Sequence, residues 1–257
     1  MRLAILQMRA IPGDVEANFS RIAKAAREAY AAGAGLLVTP ELALTGYGAG
    51  DALRDLAEPA DGVLAQRLRR LSADERIAIL TGFAERDGEV VYNSALYVDG
   101  DAPPTLYRKS HLYGDYERGL FRPGRPEAMV VEIGGLKLGI LICYDVEFPE
   151  NARRLARAGA RVVLVPTALP ASDHAAFIAE KLIAVRAFEN QVFVAYVNHC
   201  GADRNFAYAG LSQIVAPDGS TLAAAGPRGE ALLVADIRPG DYAASAEQNT
   251  YLRDLIT

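Results

Sequence analysis

The chain has 257 residues, of which 51% are hydrophobic and 23% charged, and its 27 basic and 32 acidic residues give a formal net charge of −5. This composition predicts a globular protein with a substantial core, and without a Lys/Arg cluster it argues against a nucleic-acid partner. The sequence has no run of about 18 apolar residues and no signal-peptide pattern, so we expect a cytoplasmic protein without a membrane partner. Cys143 and Cys200 make no disulfide framework and are expected to be reduced thiols.

The first elements predict a βαβ unit. LAILQM (3–8) is an apolar run that a Pro-Gly-Asp turn follows, which is typical of a buried strand. Apolar residues continue at helical spacing from Phe19 to Ala29, with Asn18 as the predicted N-cap. GLLVTPE (35–41) then predicts a second buried strand, which would pair in parallel with the first.

The middle of the chain predicts one helix and three strands, at 61–72, 77–83, 90–99 and 104–110. A second βαβ unit follows, with a strand at 137–145, a helix at 149–159 and a strand at 160–167. AAGAGLLVTPE in the first unit and RAGARVVLVPT in the second are similar, so we interpret the two units as a weak internal repeat.

The last third predicts a helix at 174–189 with Ile178, Leu182 and Val185 on its apolar face, and then a strand at 192–198. The tail from 205 to 237 is predicted to be mostly strand. This alternation of strands and helices predicts an α/β protein with two sheets and helices outside, in a single domain spanning 1–257.

Three titratable side chains stand at predicted strand ends, where α/β proteins commonly collect function: Glu41, Lys109 and Cys143. Each alone is more often a solvated glutamate, a surface lysine or a buried structural cysteine. Pro149 favours a helix start soon after Cys143, and a helix N-terminus or a nearby lysine lowers a thiol pKa. We therefore expect the three side chains to form one site with a thiol of lowered pKa.

The segments that carry these residues resemble the motif blocks of the carbon–nitrogen hydrolase (nitrilase) superfamily: TPELALTGY (39–47), YRKSHLYGDYE (107–117) and GILICYDVEFPE (139–150). The resemblance implies a four-layer αββα sandwich with two mixed β-sheets and helices outside. It also implies a catalytic triad of Glu41, Lys109 and Cys143, a further glutamate at Glu117, and a homodimer or larger homo-oligomer.

The resemblance implies hydrolysis through an acyl-thioester on Cys143, with Glu41 as the base. Lys109 and the backbone N–H of Tyr144 would stabilise the oxyanion, and Glu117 would orient Lys109 or the substrate amide. This chemistry uses only the amide substrate and water, without a metal or organic cofactor. The three histidines (His111, His174 and His199) show no metal-ligand spacing.

The residues after the cysteine indicate which substrate is cleaved. Tyr144 and Asp145 stand where true nitrilases resemble one another in Trp-Glu, which favours an amide over a nitrile. Glu147 stands where related amidases of dicarboxylic acids have arginine, which suggests a cationic substrate unless Glu147 faces solvent or pairs with Arg153 or Arg154. Tyr47 and Tyr113 either line the pocket or pack in the core; both are candidate substrate-binding residues.

The longer strings most resemble bacterial 5-aminopentanamidases and stereoselective aliphatic amidases. We therefore predict an amidase of a short aliphatic primary amide, such as the ω-amino amide 5-aminopentanamide. The alternatives are an N-carbamoyl amine hydrolase on the same scaffold, a catalytically silent binding protein of this fold, and a plain α/β protein with a buried cysteine.

Overall fold

The structure is a computed structural model that describes residues 1–256. In chain order its strands are β1 (Arg2–Gln7), β2 (Leu36–Val38), β3 (Ala78–Asp87), β4 (Val90–Val98), β5 (Thr105–Arg108), β6 (Val130–Ile133), β7 (Leu136–Ile140), β8 (Val162–Thr167), β9 (Phe193–Asn198), β10 (Gln213–Val215), β11 (Thr221–Ala224) and β12 (Ala231–Asp236). The α-helices are α1 (Val15–Ala31), α2 (Ala52–Leu56), α3 (Val63–Glu75), α4 (Gly114–Leu120), α5 (Pro149–Arg157), α6 (Ile183–Asn190), α7 (Ala243–Gln248) and α8 (Tyr251–Asp254).

The strands form two six-stranded sheets, in the order β12-β1-β2-β3-β4-β5 and β11-β10-β9-β8-β7-β6. Both sheets are mixed, because the pairs β1–β2, β2–β3, β7–β8 and β8–β9 are parallel and the others are antiparallel. Of these parallel pairs, β1–β2 and β7–β8 belong to the two predicted βαβ units. The fold predicted from the sequence is therefore confirmed, and the weak repeat corresponds to two units built alike.

The layers follow from the alternation of side chains along each strand. In β1, Leu3 and Ile5 belong to the core that the two sheets share, whereas Ala4 and Leu6 pack with α1 and α3 on the outside. The helices α5 and α6 contribute to the core of the second sheet. Two sheets thus pack face to face with helices outside. Within residues 1–256, none of the helices combines the length and apolarity that crossing a membrane requires.

Three local predictions were wrong. Helix α1 begins one turn earlier than expected, because Asp14 accepts from the Ala17 N–H, while Asn18 is buried inside the helix and its amide bonds Ile11 and Leu44. The predicted strand 137–145 ends at Ile140 and leads into a 3₁₀ helix, Cys143–Glu147. The strand β6 and the helix α4 were not predicted from the sequence, although α4 supplies Glu117 to the site.

The apolar face predicted for the helix at 174–189 is confirmed only in part. The segment contains a π-helical turn, Phe177–Leu182, followed by α6. The extra residue per turn rotates the following helix, so Ala179, Ile183 and Ala187 face the core. Val185 and Phe177 are 50% and 62% exposed. Of the predicted face, Ile178 and Leu182 are partly buried and pack against this core, whereas Val185 is exposed.

Candidate active site

Glu41 lies three residues past β2, in a segment that runs beside β3. The Thr39 N–H donates to Leu80 and the Leu44 N–H donates to Gly82. Leu42 has a φ of 50°, a left-handed conformation that is uncommon outside glycine. A Cβ on Gly82 would lie 2.2 Å from the Leu42 nitrogen, so only glycine allows the Glu41–Leu42 backbone to come this close to β3.

Lys109 directly follows β5, and its side chain lies between two glutamates. Its Nζ is 2.6 Å from Oε1 of Glu41 and 2.6 Å from Oε1 of Glu117, which helix α4 supplies. The three side chains are at most 1% exposed. The Glu117 carboxylate also accepts from the Tyr47 hydroxyl and the Tyr113 N–H, so both of its oxygens are satisfied.

Cys143 begins the 3₁₀ helix between β7 and α5, with a φ of 46°. A left-handed conformation at a residue other than glycine stores strain, which occurs mostly at functional sites. Pro149 lies in the first turn of α5, as predicted, and Cys143 is 8% exposed.

The ionisation of the site differs from the expectation for the thiol. Burial and the charges of Glu41 and Glu117 raise the pKa of the Cys143 thiol well above its ordinary value, although Lys109 and the Ala168 backbone act in the opposite direction. The predicted lowering of this pKa was therefore wrong, because burial of the thiol, together with the charges of Glu41 and Glu117, outweighs the effect of Lys109. The resting nucleophile is a neutral thiol, and its attack requires a base.

Glu41 has the pKa that such a base needs. Burial raises it from 4.5 to about 7, with Lys109 acting against the shift. Burial also lowers the pKa of Lys109, but the two carboxylates reverse this, and its pKa lies well above the usual value. Asn93 donates to Glu41 Oε1 at 2.7 Å, whereas Oε2 is buried without a hydrogen-bond partner within residues 1–256. This second oxygen is available to accept a proton.

A cavity of about 380 Å³ lies beside this buried cluster. The cavity is lined by Cys143 and Glu117 and by the predicted residues Tyr47, Tyr113, Tyr144 and Glu147. Tyr47 is 3% exposed and takes part in the polar network, while Tyr113 is 49% exposed at the rim. A larger depression of about 790 Å³ lies elsewhere, beside Arg9, Arg21 and Arg204, but it contains none of the reactive groups.

Glu147 faces this cavity rather than a neighbouring arginine. Arg154 donates to Asn151, and Arg186 donates to the backbone carbonyls of Val146 and Glu147 and to the Glu189 carboxylate. Among the described residues no ion pair includes the Glu147 carboxylate. Burial raises its pKa, while Lys109 and Arg186 partly oppose the shift. The interpretation of Glu147 as a partner of Arg153 or Arg154 was therefore wrong.

Two polar residues near Glu41, Asn93 and His199, were not predicted from the sequence to belong to the site. Asn93 lies inside β4, where its position within a continuous strand gave no signal. His199 follows β9, and its Nε2 lies 2.7 Å from the Glu41 carbonyl. Its place at a strand end was the one available signal, but a single histidine after an apolar strand is more often structural.

The class defined by this fold and site is that of a cysteine-dependent αββα hydrolase, and comparison with known proteins gives the family. The carbon–nitrogen hydrolase family model matches residues 2–247. A protein of Pseudomonas protegens described as "Hydrolase in pqqF 5'region" is 45% identical over 260 residues, covering 99% of this chain and 88% of that protein. An (R)-stereoselective amidase of Pseudomonas sp. is 36% identical and covers 99% and 91%.

A solved amidase from Nesterenkonia sp. superposes with a TM-score of 0.88 at 36% identity, covering 99% of this chain and 93% of that one. In one variant of a Nesterenkonia amidase the acetamide moiety of fluoroacetamide is attached to the active-site cysteine. The chain belongs to the carbon–nitrogen hydrolase family. The prediction of an enzyme that acts on carbon–nitrogen bonds other than peptide bonds is confirmed, and the catalytically silent alternative is set aside.

Proposed function

We propose that the enzyme hydrolyses a short aliphatic primary amide to a carboxylic acid and ammonia, with an ω-amino amide such as 5-aminopentanamide as its preferred substrate. The observation that carries the substrate class is the half-buried carboxylate of Glu147 in the cavity that also contains Cys143. The mechanism rests on the buried cluster of Glu41, Lys109 and Cys143.

In the first half-reaction Glu41 takes the thiol proton and the Cys143 sulfur attacks the amide carbon, forming a C–S bond while the carbonyl π electrons move to oxygen. The Lys109 ammonium and the Tyr144 N–H stabilise this oxyanion. When the oxyanion collapses, the C–N bond breaks and the nitrogen takes the proton from Glu41. Ammonia leaves and the acyl group remains on sulfur as a thioester.

In the second half-reaction water replaces ammonia. Glu41, again a carboxylate, removes a proton from the water as its oxygen attacks the thioester carbon. Collapse of the second oxyanion breaks the C–S bond, and the sulfur recovers its proton from Glu41. The carboxylic acid is released and the enzyme returns to its resting state. Glu117 holds Lys109 in place throughout, through the contact of 2.6 Å between Nζ and Oε1.

The charge and shape of the cavity favour an amine at the far end of the substrate. An ammonium would gain an ion pair with Glu147, whose carboxylate then no longer bears the full cost of burial. The rings of Tyr113 and Tyr144, which meet edge to face with centroids 5.2 Å apart, offer further contact to a cation. An acidic substrate would instead meet the repulsion of Glu117 and Glu147.

The test is ammonia release from a panel of 5-aminopentanamide, pentanamide, butyramide, N-carbamoylputrescine and pentanenitrile. We expect kcat/KM to be highest for 5-aminopentanamide. Higher kcat/KM with N-carbamoylputrescine, together with carbon dioxide release, would instead identify an N-carbamoyl amine hydrolase. If pentanamide and 5-aminopentanamide were equivalent, the proposed amine selectivity would be wrong while the amidase mechanism would stand.

Replacement of the pocket carboxylate sharpens this test. Glu147→Gln should raise KM for 5-aminopentanamide about 10- to 100-fold relative to pentanamide, because hydrogen bonds to charged groups contribute about 1.5–3 kcal/mol. Glu150→Gln is the matched control, since Glu150 is an exposed acid three residues further along. Equal effects of Glu147→Gln on the two amides would mean that Glu147 does not contact the amine.

We also propose a homodimer or larger homo-oligomer. Phe177 and Val185, on the π-helical turn and α6, are 62% and 50% exposed, and the 45% exposed Tyr251 packs against Phe188 of α6 with ring centroids 5.8 Å apart. Apolar side chains grouped in this way are common at subunit interfaces. Sedimentation velocity should give a mass of at least two chains, and Val185→Glu should reduce it; a monomeric wild type at micromolar concentration would contradict the proposal.

A further inference from the structure

Asp145 is a fully buried carboxylate with an unusual number of hydrogen-bond donors. Its side chain is 0% exposed. Six groups lie within hydrogen-bond distance of its oxygens: Tyr107 Oη at 2.9 Å, Ser110 N at 3.2 Å, Ser110 Oγ at 2.7 Å, His111 N at 2.8 Å, His111 Nδ1 at 2.9 Å and Ile142 N at 3.3 Å. So many donors on one buried acceptor indicate a role beyond closing the local 3₁₀ turn, for which the Ile142 contact suffices.

The other five donors belong to the opposite half of the molecule. They lie on β5 of the first sheet and in the three residues after it, whereas Asp145 lies in the 3₁₀ helix that follows β7 of the second sheet. Ser110 is the residue after Lys109, and Asp145 is the second residue after Cys143. The hydrogen bonds of Asp145 therefore connect the segment that carries Cys143 to the segment that carries Lys109, across the two sheets. Few freely rotating bonds separate the two residues along this connection.

Only a carboxylate suits this position. A charged acceptor bonds several N–H and O–H groups more strongly than a neutral one. Burial raises the pKa of Tyr107 well above its usual value, with the Asp145 charge adding to the effect, so the Tyr107 hydroxyl stays a donor. An asparagine of the same shape would turn an N–H₂ group toward some of these donors and leave them unsatisfied.

We propose that Asp145 is a positioning residue that fixes Lys109 relative to the Cys143 thiol. This inference rests on the roles proposed above for Cys143 and Lys109. Lys109 lies at the end of an edge strand, and its ammonium must reach the oxyanion formed on a residue of the other sheet. Loosening the Asp145 contacts displaces the ammonium without removing any group that touches the substrate.

The first measurement compares Asp145→Asn with Glu85→Gln. Glu85 is an equally buried carboxylate with several donors, but its partners Ser94 and Arg108 lie in its own sheet. We expect Asp145→Asn to lower kcat for butyramide about 100-fold, comparable to loss of one oxyanion donor, with KM within about threefold of the wild type. Glu85→Gln should lower the melting temperature but keep kcat within about threefold.

The second measurement needs no turnover. Iodoacetamide alkylation of Cys143, located by peptide mass spectrometry, reports how well Lys109 stabilises the thiolate. Asp145→Asn should slow it about tenfold, but should have less than a threefold further effect in Lys109→Met, because one interaction cannot be lost twice. Multiplicative effects in the double variant, or an unchanged alkylation rate in a folded Asp145→Asn, would overturn the proposal.

Two outcomes remain to be separated. If Asp145→Asn does not fold, Ser110→Ala removes one donor and keeps the carboxylate; a roughly three- to tenfold slower alkylation supports the proposal, and an unchanged rate overturns it. If the wild type releases ammonia from none of the amides, the proposed function fails. The alkylation rates still decide whether Asp145 positions Lys109 against the thiol.

Discussion

The first sheet, from β12 to β5, and the second, from β6 to β11, have the same series of pairings: one antiparallel, two parallel and two antiparallel. Their contributions to the site are nevertheless different. The first sheet and its loops supply the ion-pair cluster of Glu41, Lys109 and Glu117. The second supplies the neutral thiol of Cys143 and the wall that carries Glu147.

This difference shows how two units built alike can contribute different chemical groups to one reaction. The two similar segments, 31–41 and 157–167, end in Glu41 and Thr167. An acidic residue therefore stands at this position in the first unit only. The charged half can hold a proton and an oxyanion, and the neutral half can form the covalent bond. Neither half is sufficient, and the contacts between them matter as much as the groups themselves.

The largest effect should come from removing the contribution of the second sheet. Cys143→Ala should reduce ammonia release by more than about 10⁴-fold, because the thioester cannot form without sulfur. Its melting temperature should stay close to that of the wild type, since the thiol is small. Cys200→Ala is the matched control and should keep its activity. Residual turnover above about one per cent in Cys143→Ala would exclude Cys143 as the nucleophile.

Removing the Lys109 ammonium should lower activity less than removing the Cys143 thiol. Lys109→Met should lower kcat about 10²- to 10³-fold, the usual effect of losing one oxyanion donor. The control is Lys137→Met, an exposed lysine on β7, which should have wild-type kinetics. Because Lys109→Met leaves Glu41 and Glu117 buried without their cation, thermal unfolding should be recorded with kcat. A folded variant with near wild-type kcat would contradict the assignment of Lys109.

Much of this division could be predicted from the sequence. Glu41, Lys109 and Cys143 each follow a predicted strand, and the ends of strands are where α/β proteins commonly place functional side chains. The sequence could not predict the direction in which the thiol pKa shifts, because that direction depends first on how deeply packing buries the sulfur and then on the charges around it. One of these charges, Glu117, lies on a short helix that has no strong apolar pattern.

Contacts between the sheets were equally out of reach. Ser110 and Asp145 are separated by 35 residues, and nothing in their own segments indicates that they meet. The exposure of Val185, at the end of the apolar face predicted for the helix at 174–189, has another cause. Ile178, Leu182 and Val185 have regular α-helical spacing, but a π-helical turn changes the phase of the helix where it begins. A pattern based on one period does not detect such an insertion.

A smaller effect should follow when the base is displaced without being changed. Gly82→Ala places a Cβ 2.2 Å from the Leu42 nitrogen, so the Glu41–Leu42 backbone must move away from β3. We expect a loss of stability of about 1–3 kcal/mol, as in other overpacked cores, and a lower kcat. Gly240→Ala, where no atom lies within 4 Å of the added Cβ, is the control for thermal unfolding and kinetics. Equal melting temperatures for the two variants would contradict the close approach at Gly82.

The smallest effect concerns the ionisation of the base. Only ionised Glu41 can accept the thiol proton, and burial raises its pKa to about 7. Below that pH the protonated fraction increases, so kcat/KM should fall about tenfold per pH unit on the acid side. The hydrogen bond from Asn93 lowers this pKa. Asn93→Leu removes the donor at similar side-chain volume, so the acid limb of the profile should move to higher pH.

A pH profile of kcat/KM separates this shift from general damage to the site. At pH 6, Asn93→Leu should be about three- to tenfold slower than the wild type, whereas above pH 8 both have an ionised base and should agree within about threefold. Ser94→Ala is the matched control, because the neighbouring Ser94 hydroxyl donates to Glu85, a buried carboxylate outside the site. Its acid limb should coincide with that of the wild type. A uniform loss at every pH in Asn93→Leu, or a limb that moves to lower pH, would mean that Asn93 does not tune Glu41 and that another group titrates on the acid side.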